Sequence, residues 1–205
     1  MTGKKIYFLI LCLWLFGIHN FSSAQRMSFH LSPGAAFPKE KKIHSSFESG
    51  FGFSLPLIER IFLSLNFVYW KSSVEEKEGS LMNGELSVTP FFFSLEFRLM
   101  ENKKFNPYIF LGANLVFTRF EIGKYISIPE VTINQEVRNG PGLHFGGGID
   151  FSLTGQLALF VEGFYFLRKA KAETTIKDMN FGVTTEEFLI SLDSLILQIG
   201  IKYFF

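Results

Sequence analysis

Cysteine is nearly absent: Cys12 is the only one, and it lies in an apolar run at the N-terminus that a processed chain would lose. A disulfide framework and a cysteine-ligated metal are therefore excluded. Long apolar runs are lacking as well. After residue 24 no stretch holds the roughly 18 uninterrupted apolar residues that a membrane helix needs. Net charge is also missing, since 20 Lys and Arg face 19 Asp and Glu, and without Lys4 and Lys5 the basic residues fall to 18. A balance of about −1 argues against an electrostatic partner such as nucleic acid. What the chain has in abundance is phenylalanine, 27 residues in 205. Aromatic side chains favour strands and the interfacial girdles of membrane barrels.

Lys4 and Lys5, an apolar run over residues 6–18 and then Ser22-Ser23-Ala24 form a secretory signal peptide, with cleavage expected after Ala24. Gly17, His19 and Asn20 cut the run short of the about 20 apolar residues of a spanning helix. The expected organisation is a leader over residues 1–24 and one domain over residues 25–205. That length suits about eight strands, at roughly 20 to 25 residues for each strand and its connection.

Alternation of apolar and polar residues marks those strands. At the end of the chain Leu195, Leu197, Ile199, Ile201, Tyr203 and Phe205 share one face, and Ile196, Gln198, Gly200, Lys202 and Phe204 the other. Residues 142–153 set Leu143, Phe145, Ile149, Phe151 and Leu153 against His144, Gly146, Gly148, Asp150 and Ser152. Similar patterns fall over residues 27–36, 47–57, 61–70, 85–99, 107–120 and 157–168. Leu86 and Val88 have the opposite parity to Phe91, Phe93, Leu95 and Phe97, so a bulge or strand end is expected at Pro90. Pro33 is expected to break the ladder near the end of the first strand. Residues 121–141 and 169–187 read as long loops, the first with room for a small hairpin of its own.

Connections are long after the first, third, fifth and seventh strands and short after the others. That asymmetry, with both termini in the periplasm, is the rule of outer-membrane barrels and not of soluble sandwiches. The expected fold is all-β, an eight-stranded antiparallel up-and-down transmembrane β-barrel. Tyr69, Trp70, Phe117, Phe120, Tyr165 and Phe166 are expected in an outer aromatic girdle, and Phe62, Phe105, Phe151, Tyr203 and Phe205 in an inner one. A soluble lipocalin-like barrel is the alternative, and it would carry its large apolar residues inside and its charges outside.

Three runs carry a resemblance: residues 107–113 (PYIFLGA), residues 143–151 (LHFGGGIDF) and residues 198–203 (QIGIKY). They resemble the small outer-membrane β-barrel proteins of Bacteroidetes-type bacteria, which include PorT-like proteins and are akin to the OmpA and OmpX barrels. Gln198, Gly200, Tyr203 and Phe205 also resemble the C-terminal assembly signal of bacterial outer-membrane barrels. The resemblance implies an address in the outer membrane of a Gram-negative bacterium, contact with its lipid, recognition by the barrel-insertion machinery and a monomer. With nothing after Phe205, the peptidoglycan-tethering role of full-length OmpA-like proteins is not expected.

Charges recur on the inward face: Glu48, Glu96, Arg98, Asp150, Glu162, Arg168 and Lys202. A lipid-facing Arg or Lys costs about 2 to 4 kcal/mol at the bilayer midplane, so this parity is what a lumen demands. Mixed signs point to an ion-paired filling in a barrel only wide enough for side chains, where a selectivity ring would show one sign. Inward glycines, Gly146 and Gly200 among them, would make room for Phe160 and Phe164. His30-x-Ser32 is the one arrangement with a nucleophile and a base on a shared face, but no carboxylate is fixed beside it. His144 has no neighbouring ligand spacing and reads as a hydrogen-bonding lumen residue. No cofactor is implied. The function expected is that of a non-enzymatic barrel acting through its long outer loops, structurally or on a protein partner. A lipid-modifying enzyme, a narrow solute channel and a component of a secretion machinery are the alternatives.

Overall fold

The computed structural model describes residues 26–75, 83–100, 104–123, 131–180 and 182–205. The leader expected over residues 1–24 lies outside them. Among the described residues there are eleven strands: β1 (Ser28–Pro38), β2 (Ser46–Ile58), β3 (Ile61–Val74), β4 (Gly84–Arg98), β5 (Phe105–Ile122), β6 (Val131–Val137), β7 (Gly140–Ser152), β8 (Leu157–Leu167), β9 (Lys169–Asp178), β10 (Gly182–Ser191) and β11 (Ser194–Phe204). Eight of them close into a barrel in the order β1-β11-β8-β7-β5-β4-β3-β2, with antiparallel neighbours throughout. The first and last strands pair from Ser28↔Phe204 to Pro38↔Ser194, so the wall has no open edge. The other three form a sheet of their own, in the order β10-β9-β6.

Alternation decides which side chains go inside. On β11, Leu197, Ile199 and Ile201 are 47%, 55% and 51% exposed, whereas Ile196, Gln198 and Lys202 are buried. The soluble alternative required the reverse. Eleven residues at about 3.3 Å each, tilted by about 40°, give β11 a height of roughly 25 Å, which matches the apolar band of membrane barrels. Short turns join β2 to β3, β4 to β5 and β7 to β8 at one end, where both termini of the barrel also lie. The long connections gather at the other end.

Three expectations are corrected, and the break in the ladder expected at Pro33 is found. No parity slip occurs at Pro90: β4 holds one register against β5 from Gly84↔Ile122 to Arg98↔Tyr108, and Leu86, Val88, Pro90 and Phe92 are all buried. What reverses there is polarity, since the outward face above Pro90 is Glu85, Ser87 and Thr89 while the lumen stays apolar. Pro33 interrupts pairing with β11 without ending β1, and the ladder resumes in register at Gly34↔Gln198. Trp70, Phe166 and Phe62 fill the lumen, and Phe120 packs on the apolar cluster, so none of the four belongs to a girdle, because each has inward parity on its strand. The loop expected over residues 169–187 is the β9–β10 hairpin, and the described part of residues 121–141 supplies a single strand, β6, that pairs with β9.

Candidate functional site

The lumen is filled in two different ways. Towards the short-turn end, Lys202 Nζ donates to Asp150 Oδ1 at 2.8 Å and to Oδ2 at 3.0 Å. Arg98 Nη2 stands 4.0 Å from Asp150 Oδ2, and its Nε donates to Glu96 Oε1 at 3.3 Å. Ser64 donates to Glu96 Oε2 at 3.2 Å and shares a 2.9 Å hydrogen bond with Ser54. Tyr108 donates to Glu162 Oε2 at 2.9 Å. The cations also lie over rings: Arg98 is 4.0 Å from the centroid of Phe62, and Lys202 is 4.7 Å from that of Tyr108. Five inward charges from β4, β7, β8 and β11 thus meet in one network, which meets the condition under which buried charges are tolerated. Tyr108 and Ser64 were not singled out in the sequence, although their inward parity was legible.

Glu48 and Arg168 stand apart from that network. Glu48 is fully buried with Gln198 beside it, yet neither carboxylate oxygen meets the geometry of a hydrogen bond, and Gln198 Nε2 is also unpaired. Arg168, just past the end of β8, donates from Nη1 to the carbonyl of Val116 at 2.9 Å and from Nη2 to the carbonyl of Arg138. Its backbone N–H donates to Asp193 Oδ1 at 2.8 Å. It therefore ties the barrel rim to the sheet above and neutralises no lumen carboxylate.

Midway along the barrel, His144 Nε2 is 2.7 Å from Ser94 Oγ, and its Nδ1 is 3.5 Å from Asn114 Nδ2. An amide nitrogen can only donate, so Nδ1 accepts and Nε2–H donates to the serine. Beyond this point the filling is mainly apolar, with Glu48 and Gln198 buried at the level of Trp70. Phe92 meets Phe164 edge-to-face at 5.3 Å and Phe166 at 6.1 Å, and Trp70 meets Phe166 at 5.9 Å. Val68, Leu86, Val88, Val116 and Ile196 complete the plug. Gly146 lies across from Phe164 and Gly200 from Phe160, and a Cβ at either position would collide with the ring residue it faces. Among the described residues, a cavity between His30, Asn66, Glu96, Glu162 and Lys202 is about 10 Å³, roughly the room for one water.

Above the plug sits the β10-β9-β6 sheet. Ala170, Ala172, Val137, Ile190 and Leu192 are buried beneath it in the same apolar cluster as the plug, with Phe120 and Phe188 packed against them. Its upper face carries Glu173 and Glu187, which Arg138 Nη2 contacts at 3.0 Å and 3.1 Å, and Lys171 Nζ reaches Glu187 at 3.3 Å. The hydrogen bond to Glu173 and the charge of Glu187 hold the Arg138 pKa above its ordinary value. Lys71, 2.5 Å from Glu85, is raised in the same way.

His30 and Ser32 both point into the lumen. The His30 ring packs edge-on against Phe160 at 5.3 Å, and its Nδ1 has no hydrogen-bond partner. Tyr203 and Phe205 are exposed on the outer wall, while Gln198 and Gly200 face inward on the same strand. Among the described residues no group of three or more His, Cys, Asp or Glu side chains could hold a metal.

No family model matches the chain, and no curated protein matches it. Solved structures do. The outer-membrane protein OprG of Pseudomonas aeruginosa superposes with a TM-score of 0.74 at 18% identity, over 88% of this chain and 97% of OprG. Neisserial surface protein A gives 0.57 at 13% identity, over 90% of this chain and 98% of its own. AlkL, solved in lipid bilayers, gives 0.55 at 12% identity, over 91% and 94%. The shared feature is the fold: a small, closed, eight-stranded antiparallel barrel of the outer-membrane type.

Proposed function

We propose that the chain is a non-enzymatic outer-membrane protein, in which a sealed barrel serves as the stalk for a partner-binding sheet built from two of its outer connections. The observation that carries this reading is the filling of the lumen. A charged network, a histidine layer and an aromatic plug succeed one another along the axis, and the cavity of about 10 Å³ has room for no more than a single water. Conduction needs a continuous wet path, so a channel is disfavoured. The lipid-enzyme reading is disfavoured too, because His30 and Ser32 are shut away from any acyl ester at the outer wall and the Nδ1 that a triad carboxylate would orient is unpaired.

Among the described residues, the sheet is the extended structure that the long connections offer a partner. Both β10 and β6 are edges, each hydrogen-bonded on one side only, and Val183 and Leu189 on β10 are 65% and 69% exposed. Export through the leader over residues 1–24, and recognition of Gln198, Gly200, Tyr203 and Phe205 by the insertion machinery, belong to the same proposal. So does the closer kinship with PorT-like barrels of Bacteroidetes-type bacteria, under which the partner would be a component of a secretion machinery.

The test is affinity purification from native membranes of the intact protein and of a variant in which a short linker replaces residues 169–191. Loss of the same co-purifying protein from the variant, with the barrel still inserted, is the expected result. Retention of every partner by the variant would overturn the role given to the sheet, and discrete conductance steps in planar bilayers would overturn the sealed lumen.

A further inference from the structure

The two edges of the β10-β9-β6 sheet are not equivalent. On β6, Gln135 and Val137 are buried, and the Val137 carbonyl already accepts from Thr118 Oγ1 at 2.7 Å, so β5 closes part of that edge. β10 is hydrogen-bonded to β9 alone, and residues 182–187 are exposed on both of its faces. Its outward N–H and C=O groups are therefore open to another strand. Alternation sets what that strand would meet. Val183, Thr185, Glu187 and Leu189 share the upper face of β10, and Thr184 and Glu186 the lower. Above, Val183 and Leu189 are exposed, and the charge of Glu187 is already met by Arg138 and Lys171. Below, Glu186 is exposed, with Thr174 as its cross-strand neighbour and no ion-pair partner among the described residues. An added strand thus meets two apolar side chains on one face and, midway between them on the other, a free carboxylate.

A second copy of β10 does not suit that edge. In an antiparallel pair about a two-fold axis, the register that lays Val183 of one copy on Leu189 of the other also lays Glu186 on Glu186. Like charges directly opposite one another destabilise a strand pair. The apolar contacts and the carboxylate together select against the chain's own edge and in favour of a strand with a cation at the central position.

We propose that β10 receives an extended segment of a partner protein as a fourth strand of the sheet, with a Lys or Arg of that segment over Glu186 and apolar side chains over Val183 and Leu189. Backbone hydrogen bonds supply the attachment, and Glu186 supplies the choice of partner. The proposal rests on the reading of the sheet as partner-binding and gives the chemistry of what it binds.

The test is fluorescence anisotropy of a labelled peptide, Val-Thr-Thr-Lys-Thr-Thr-Val, with the full chain in lipid nanodiscs. Saturable binding is expected. Replacing the lysine of the peptide by glutamate should weaken it roughly tenfold, the swing between attraction and repulsion in a cross-strand pair. Glu186→Lys in the protein should reverse the preference, so that the glutamate peptide binds better than the lysine peptide. Glu136→Lys, on the β6 edge of the same sheet, should leave both affinities unchanged. N-methylation of every residue of the lysine peptide, which removes its backbone donors and keeps its charge, should abolish binding. Equal binding of the two peptides, binding that survives methylation, or no binding of either peptide overturns the site. Disulfide-linked dimers of a Val183→Cys, Leu189→Cys chain that starts at residue 25 would put a second copy on the edge and overturn the choice of partner. In native membranes, a protein lost from the variant with a linker in place of residues 169–191 but held equally by Glu186→Lys overturns this inference alone. A protein held by both variants overturns the partner-binding sheet as well.

Discussion

The two halves of the lumen are built on one wall, with the same alternation and the same strands, yet one is filled by a network of charges and the other mainly by rings, with Glu48 and Gln198 buried among them. Near the short-turn end Lys202, Asp150, Arg98 and Glu96 satisfy one another within a few ångströms. Near the capped end Phe92, Phe164, Phe166 and Trp70 meet at near right angles, with the His144 imidazole edge-on to Phe92 at 4.7 Å on the side of the charged half. Pleat alone decides that a side chain points inward. What it must be once inside depends on its neighbours across the lumen. The charged half is sensitive to the loss of one member, because the survivor is left buried and unpaired, while the aromatic half loses area and gains a void.

The sharpest way to separate the halves is to break each at its centre. Asp150→Ala strands Lys202 and should cost about 3–5 kcal/mol in urea unfolding from vesicles, whereas Asp150→Leu with Lys202→Met should cost far less than the single change. If the pair of changes proves as costly as the single one, the network is not what the charged half depends on. Phe166→Ala should cost about 3–4 kcal/mol through the cavity it opens. No second change of charge should rescue it.

Smaller effects test the packing between the halves and the cap. Gly146→Ala places a methyl group against the Phe164 Cβ and the Gly163 carbonyl, which no rotation of the ring relieves, and should destabilise by about 1–3 kcal/mol by the same unfolding assay. Arg168→Met leaves the carbonyls of Val116 and Arg138 without their donor and should cost about 1–3 kcal/mol. Its signature is faster proteolysis within residues 169–191 while the barrel stays resistant. Smallest of all is Arg138→Gln, on the exposed upper face, where less than about 1 kcal/mol is expected because surface ion pairs are screened.

The wall was legible in the sequence because lipid on one side and a crowded lumen on the other impose opposite demands at successive residues. On β11 that contrast is complete, and alternation alone gives the facing: Gln198, Gly200 and Lys202 in, Leu197, Ile199 and Ile201 out. The cap was not legible in the same way. β9 alternates Ala170, Ala172, Thr174 and Ile176 with Lys169, Lys171, Glu173 and Thr175, a period of two that marks a strand, but its charges and threonines resemble loop chemistry when no lipid sets the contrast. Leu86 and Val88 misled for a related reason. Above the belt the outer face meets water while the lumen stays apolar, so polarity inverts although the facing does not.

The candidate site was legible only in part. Parity placed Glu96, Arg98, Asp150, Glu162 and Lys202 inside, and their meeting follows from which strands lie across the lumen from one another, a long-range fact of barrel closure. Parity also placed Arg168 inside, but its position at the rim hands it to backbone carbonyls.

The central claim is that one face of every barrel strand meets lipid and the other a filled lumen. It is tested most directly by single cysteines introduced one at a time over positions 195–203 of a chain that starts at residue 25, which contains no other cysteine. Each is spin-labelled in vesicles and scored for collision with oxygen, which concentrates in lipid, and with a water-soluble nickel chelate. The account predicts a period of two, with high oxygen collision at residues 195, 197, 199 and 201 and low collision with both reagents at 196, 198, 200 and 202. A flat profile, or nickel access at the even positions, would contradict it.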